Sequence, residues 1–282
     1  NASAKALNKN ISIHIAVDTG MNRIGLKPSE ESIYIIEEIG KLKNINIEGI
    51  FTHFHSADDK DLTSANEQRK SFTDFVKKLN ERGINPPIVH AANSAGTLNG
   101  IATDLDMVRC GISMYGISPL EDVSVDDFDL RPALSLYSTI TCIKHIKKGE
   151  CVSYGATFKA DKDMLAATIS FGYADGYPRD LSNRGYVLIH DIKCNIIGRI
   201  CMDQTIVNIS AVPQARVGDR VTLLGKSEKN TITIEELTKG SNTFSYEFIC
   251  GINKRVPRLY FSKGKPIGKK DYIRDLYNDF LQ

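Results

Sequence analysis

Four polar clusters follow short apolar runs in the amino-terminal half of the chain, and their residue types could do chemistry together. The run IHIAVDTGMNRIG (13–25) breaks at Asp18 into a glycine-bearing loop that carries Arg23. The next runs end in Thr52 and His53, in Asn93 and Ser94, and at Arg109. Guanidinium groups hold anions, imidazole titrates near neutrality, and small hydroxyl or amide side chains with backbone N–H groups cradle phosphate. Each cluster has an ordinary reading as well. Arg109 could pair with an acid, His53 could be a satisfied core histidine, Asn93-Ser94 could cap a helix, and GYADGYPRD (172–180) could be a simple turn.

The elements that must position these residues alternate between strand and helix patterns over the first 115 or so residues. ISIHIAV (11–17) is β-rich. PSEESIYIIEEIGKLK follows, with Pro28 and Ser29 as start signals and Ile35, Ile36, Ile39 and Leu42 on one helical face. INIEGIFTHF (45–54) precedes a helix expected from Thr63, as N-cap, to Gly83, with Phe72, Phe75, Val76 and Leu79 as its stripe. PPIVHAANS and DMVRCGI complete four expected strands. Strand and helix in alternation imply a parallel sheet, whose carboxyl ends gather the four polar clusters on one face. From about Arg131 the pattern becomes β-rich runs broken by turn signals such as KKGE and VGD, which implies a mostly antiparallel second domain. IEELTKG reads as a short helix, and KKDYIRDLYNDFLQ, with Tyr272, Leu276 and Phe280 at helical spacing, as a terminal one. ISPLEDVSVDDFDLRP (117–132) is the expected linker, giving domains 1–128 and 129–282.

Composition excludes several function classes. The 282 residues are 41% hydrophobic, enough for a sizeable core. Thirty-six Lys plus Arg against 34 Asp plus Glu give a net charge of +2, with no basic run to track a nucleic-acid backbone. No apolar stretch approaches the roughly 18 residues of a membrane span, so no membrane partner is expected. Six scattered cysteines without a C-x-x-C pair give no metal site and fit a reducing, cytoplasmic setting.

The strands at 88–92 and 106–112 are the last two before the β-rich region, and loops after the last strands of a barrel often hold a phosphate. Asn93, Ser94 and the backbone N–H groups of Gly111 and Ile112 would anchor a phosphorylated ligand. Arg109, His53 and Arg23 would surround the rest of it.

The motifs VDTGMNRIG (17–25), THF (52–54), HAANSAG (90–96), MVRCGISMYG (107–116), SYGATF (153–158), GYADGYPR (172–179), GRICMDQ (198–204) and KRVPRLY (254–260) follow one another in this order. This series resembles that of the pyridoxal-phosphate-dependent alanine racemases, and it covers essentially the whole chain from Ile11 to about Tyr260. The resemblance implies an α/β plus all-β fold, the second half of a (β/α)8 barrel followed by a mostly antiparallel β domain. It also implies interconversion of L- and D-alanine by two-base Cα proton transfer, supplying D-alanine for peptidoglycan, in a homodimer with shared sites.

Residue by residue, the resemblance makes Arg109 the donor to the cofactor's pyridine nitrogen. A guanidinium of pKa above about 12 keeps that nitrogen unprotonated and weakens the electron sink. His53 lies at the cofactor ring and Arg23 near the cofactor phenolate. Asn93, Ser94, Gly111, Ile112 and Tyr246 fall in phosphate and pocket positions. Tyr154 matches the catalytic tyrosine that the other subunit contributes; its phenol, normally near pKa 10, needs a neighbouring positive charge to work at neutral pH. Tyr173, Met202 and Asp203 match pocket residues that also come from the partner, with Asp203, Arg23 and His53 grouped with Tyr154 as catalytic. The bulky Tyr173, Tyr246 and Met202 leave room for a small side chain, alanine first and serine second.

Two departures from the family pattern stand out. Ala16 occupies a position where many members carry a lysine, often carbamylated, that helps hold the equivalent of Arg23. The family's cofactor-binding lysine, in a motif near V-K-A-x-A-Y-G-H-G, has no counterpart here; FKADKD (158–163) is the nearest string and matches the family elsewhere. Racemisation needs that lysine as covalent partner and as second base. Four strand-helix units and a first residue that is Asn rather than Met fit an amino-terminally truncated chain, inactive by itself. Two other readings are a barrel decarboxylase of basic amino acids and a cofactor-binding protein without catalysis.

Overall fold

The computed structural model describes residues 1–120 and 125–274. They form two compact units, Asn1–Arg131 and Pro132–Gln282.

The amino-terminal unit contains α1 (Ala2–Ala6), β1 (Ile11–Ala16), α2 (Glu30–Gly40), β2 (Ile45–Phe51), α3 (Thr63–Glu81), β3 (Ile88–His90) and α4 (Ser94–Leu98). β1, β2 and β3 pair in parallel in that order. Register places Ala16 opposite Phe51 and Phe51 opposite His90, so the three strands end level with one another. The polar clusters therefore leave the sheet from one edge.

The fourth expected strand is reduced to a single parallel bridge between His90 and Met107. The Asp106 carboxylate accepts the Val89 N–H at 2.8 Å, so a side chain occupies a donor that a longer ladder would use. The chain still runs alongside β3, since Asp106 N–H reaches Val89 O and Arg109 N–H reaches Ala92 O.

Ser29 caps α2, accepting from the Ser32 N–H, and Glu30 and Glu31 lie in its first turn, where the helix dipole favours acid. Its buried face centres on Ile33 and Ile36, with Ile35 and Ile39 half-buried; Leu42 lies beyond the helix end and is exposed. Ile36 and Ile39 thus lie on the packed face as expected, Ile33 extends that face one turn earlier, and Leu42 falls beyond it. In α3 the stripe is as expected, Phe72, Phe75, Val76 and Leu79 all being buried. Thr63 is its first residue rather than its cap, because the Asp61 carboxylate takes the Thr63 N–H at 2.9 Å. Burying each such large apolar side chain contributes about 1.5–3 kcal/mol.

The carboxyl-terminal unit is built on antiparallel strands: β4 (Leu136–Ile146), β5 (Cys151–Val152), β6 (Phe158–Lys159), β7 (Met164–Ile169), β8 (Tyr186–Ile189), β9 (Ile192–Asn195), β10 (Thr205–Asn208), β11 (Arg220–Lys226) and β12 (Thr231–Ile232). The main sheet has the order β10-β7-β4-β11-β8-β9, with β12 on β11, and β5 pairs with β6. Two short helices, α5 (Ile234–Lys239) and α6 (Ser245–Gly251), precede the hairpin β13 (Arg258–Ser262) and β14 (Lys265–Lys270). α5 is the helix expected from IEELTKG, capped by Thr233. Val187, Ile189, Val207, Val221 and Leu223 form part of the core. Of the expected linker, Ile117 and Leu120 are buried in the amino-terminal unit, and residues 121–124 lie outside the described residues. Most of the expected terminal helix, including Leu276 and Phe280, also lies outside them.

Candidate active site

At the carboxyl edge of the parallel sheet the Arg109 guanidinium is half-buried. Its Nη1 donates to His90 Nδ1 at 2.7 Å. Its Nη2 donates to Thr52 O at 2.8 Å and Ala91 O at 3.0 Å, and lies 3.3 Å from His53 Nδ1. The group also stands 5.2 Å from the Phe51 ring centroid. Burial pulls its pKa down, yet a guanidinium stays charged at neutral pH. Among the described residues no carboxylate pairs with it, so the acid-pair reading fails. Its Nε–H makes no hydrogen bond among them, which leaves a fixed cationic donor at the sheet edge.

His53 is half-buried. Burial, then the charges of Arg109 and Arg23, hold its pKa below the ordinary imidazole range. The neutral ring accepts at Nδ1 and keeps its proton on Nε2. Gln68, buried on α3, fixes the backbone here: its amide donates to Thr19 Oγ1 and to His53 O, and its oxygen accepts from His55 N–H. Thr19 and Thr52 join the first two loops through their hydroxyls at 2.6 Å.

The Arg23 loop is closed by backbone. Asp18 Oδ1 accepts from Gly20 and Asn22 N–H groups, and Leu26 N–H returns to Ala16 O. Gly25 sits at φ +114°, where a Cβ would come 2.9 Å from Ala16 O, so this position requires glycine. The Arg23 side chain is exposed and makes no hydrogen bond or ion pair among the described residues.

The expected phosphate contacts are partly engaged with one another. Ser94 Oγ accepts from Gly111 N–H at 2.8 Å and from the Ser113 hydroxyl at 3.2 Å. Asn93 Oδ1 accepts from Gly96 N–H, so Asn93 caps α4, its ordinary reading. Ile112 is buried at the start of the 3-10 turn Ile112–Tyr115.

In the carboxyl-terminal unit a second cluster forms. Tyr154 is 68% exposed in a turn where Ser153, Gly155 and Ala156 all have positive φ. The Ser153 hydroxyl donates to Arg199 O at 2.6 Å, and the Arg199 guanidinium lies where a Gly155 Cβ would touch it. SYG is thereby fastened to GRICMDQ. That segment in turn meets GYADGYPR, through Tyr173 N–H to Cys201 O and Ala174 N–H to Met202 O. A Cβ on Gly172 would strike both carbonyls at about 2.3–2.4 Å, so a larger residue there would separate the two loops. Tyr173 and Met202 are exposed. Asp203 is ion-paired: Arg255 bridges Asp203 Oδ1 at 2.5 Å and buried Asp175 Oδ1 at 2.7 Å. Asp175 also accepts Gly172 N–H. Tyr246 is exposed on α6, with the Phe244 ring 5.6 Å away.

Sequence reasoning missed Gln68, His90, Arg199 and Arg255. His90, Arg199 and Arg255 lie inside motifs already singled out, where they could have been found; Gln68 has no local signal.

Residues 1–119 match the family model described as alanine racemase, N-terminal domain, and residues 133–260 that of alanine racemase, C-terminal domain. The alanine racemase of Methanococcus maripaludis is 43% identical over 257 residues, 91% of this chain and 69% of that protein. That of Clostridium tetani is 43% identical over 267 residues, 94% and 69% of the two chains. Among solved structures, alanine racemase from Clostridium difficile gives a TM-score of 0.89 at 38% identity, covering 96% of this chain and 70% of that one. The Bacillus anthracis enzyme with bound L-Ala-P gives 0.86 at 35%, covering 94% and 68%. The chain belongs to the alanine racemase family, a pyridoxal-phosphate-dependent family of isomerases with the α/β plus antiparallel β fold described above.

The donor set fits that cofactor. A guanidinium with no acid partner and a spare Nε–H among the described residues suits a ring nitrogen, and the Ser94, Gly111 and Ser113 donors suit a phosphate once they turn from one another.

Proposed function

We propose that the racemase carrying this sequence interconverts L- and D-alanine, in the cytoplasm, as a homodimer with shared sites that supplies D-alanine for the cell wall. The observation that carries this reading is Arg109, a half-buried guanidinium without an acid partner among the described residues, held by His90 and two carbonyl oxygens. Pyridoxal phosphate bound at this edge supplies a sink for the electrons left on Cα. Arg109 would donate to the pyridine nitrogen and keep it unprotonated, with His53 at the ring. Ser94, Asn93, Gly111 and Ile112 would hold the phosphate and Arg23 would serve the phenolate oxygen; Tyr246 is a pocket residue by the family resemblance. Tyr154 of one subunit takes or returns the Cα proton at its phenol oxygen, in the other subunit's site. Tyr173 and Met202 restrict the substrate to a small side chain, favouring alanine over serine, and Asp203, held by its ion pair with Arg255, joins Tyr154 among the residues that the partner contributes.

The proposed domains are 1–128 and 129–282, a reading supported by the two compact units. The base on the opposite face is a lysine that these 282 residues do not supply, and the chain by itself is then inactive. Complementation tests the shared site. Mixing full-length Tyr154→Phe subunits with subunits lacking the cofactor lysine should restore about one functional site per heterodimer. Activity no higher than that of either parent would defeat the proposal. Racemisation of serine faster than alanine would overturn the substrate assignment.

A further inference from the structure

Behind Arg109 a chain of side chains runs away from the site. His90 is only 3% exposed, and both its ring nitrogens are engaged: Nδ1 with Arg109 Nη1 at 2.7 Å, and Nε2 with His14 Nδ1 at 2.8 Å. A guanidinium can only donate. His90 Nδ1 therefore accepts, and the neutral ring carries its proton on Nε2 and donates it to His14 Nδ1. His14 is left with its proton on Nε2, which faces Glu48 Oε2 at 3.6 Å. That distance is too long for a hydrogen bond, but the carboxylate favours the N–H end of the ring. Arg109 thus dictates the direction of every proton in the row. Burial first, then the charge of Arg109 and a smaller electrostatic effect of His14, pull the His90 pKa down to about 4, so the ring is neutral at pH 7.

The fold makes room for the outer histidine. β1 and β2 shift register between Ile13 and His14, which sets His14 opposite Gly49. A Cβ on Gly49 would lie 2.4 Å from His14 Nδ1 and 2.8 Å from Ile88 O. Only glycine lets the ring lie across β2 and reach His90. Phe51 stacks on the His90 ring at 5.2 Å and 15°, fixing its plane.

We infer that His14 is a positioning residue: seated on Gly49 and oriented by Glu48, it fixes the tautomer of His90 and so holds the Arg109 guanidinium toward the cofactor ring. The last link rests on the proposed role of Arg109; the tautomer chain does not.

The test is nitrogen-15 NMR of the histidines in the full-length racemase, with and without pyridoxal phosphate. His90 should be the neutral Nε2–H tautomer at about pH 7, and His14 should carry its proton on Nε2 with Nδ1 accepting from His90. A Nδ1–H tautomer at either would overturn the inference, and this measurement needs no variant. In His14→Phe, His90 loses its acceptor. Its Nε2–H resonance should move and exchange with solvent, and kcat should fall about tenfold while KM for alanine changes little. His14→Gln, whose amide oxygen can accept, should recover most of both. An unmoved His90 resonance with unchanged kcat in His14→Phe would overturn the positioning role. Correct tautomers and a moved resonance combined with an Arg109 variant of normal reaction specificity would instead fault the cofactor reading of Arg109.

Discussion

Arg255 joins Asp203 to Asp175, binding the loop of GRICMDQ to that of GYADGYPR through one guanidinium. Asp175 is only 7% exposed, and its other oxygen accepts Gly172 N–H. Asp203 is therefore fixed by charge on one side, and the exposed Tyr173 and Met202 stand on loops that this pair holds in register.

Replacing Arg255 by Ala leaves the Asp175 carboxylate buried without its cation. The expected cost is about 1–3 kcal/mol of stability. Urea denaturation measures it, and Asp203→Asn, which alters a carboxylate that is itself exposed, should cost less. Equal losses in the two variants would show that Asp175 is not the important end.

Arg109→Glu should let the cofactor ring nitrogen protonate and strengthen the electron sink. Pyruvate formed per racemisation event should rise by about tenfold or more, with racemisation slower. Chiral chromatography together with a pyruvate assay reads the partition. An unchanged partition would make Arg109 a structural residue only.

Acid should weaken the amino-terminal unit in a defined window. In the folded state His90 titrates at about 4, while in the unfolded chain it titrates near 6.5. Between those values the unfolded state binds more protons, so stability is complete above about pH 6.5 and falls as pH drops toward 4. The limiting slope is about 1.4 kcal/mol per pH unit for one group. His53, also lowered, adds to it. Asp18, held low by the Asn22 and Gly20 N–H groups, loses its contribution only below the ordinary carboxylate range. Urea midpoints from about pH 7 to 4.5 should fall in the wild type and fall less in His90→Asn. Parallel curves would remove His90 from the account.

Periodicity located the helices well because α2 and α3 each bury one stripe against the sheet, a local pattern that a sequence displays directly. It overextended the strand near Met107, since the competing acceptor, the Asp106 carboxylate, is a tertiary contact. Arg109 and His53 were legible as polar residues at the ends of apolar runs, a local signal, whereas Tyr154 and Asp203 came only with the family resemblance of their motifs. What held them was not legible. Gln68 reaches two loops from the middle of α3, His14 meets His90 across 76 residues, and Arg255 meets Asp175 across 80. Contacts at that separation leave no periodic trace, and Gly49 reads as an ordinary strand glycine until the His14 ring is seen above it.

On the proposed reading the Arg109 edge seats the cofactor, and none of the lysines in residues 1–282 forms the covalent link to it. Borohydride reduction of the pyridoxal-phosphate-loaded full-length racemase, followed by peptide mapping, tests it most directly. The account expects alanine racemisation to be abolished and the pyridoxyl label to sit on a lysine outside these residues. A stoichiometric label on a lysine within them, such as Lys159 in FKADKD, would contradict it.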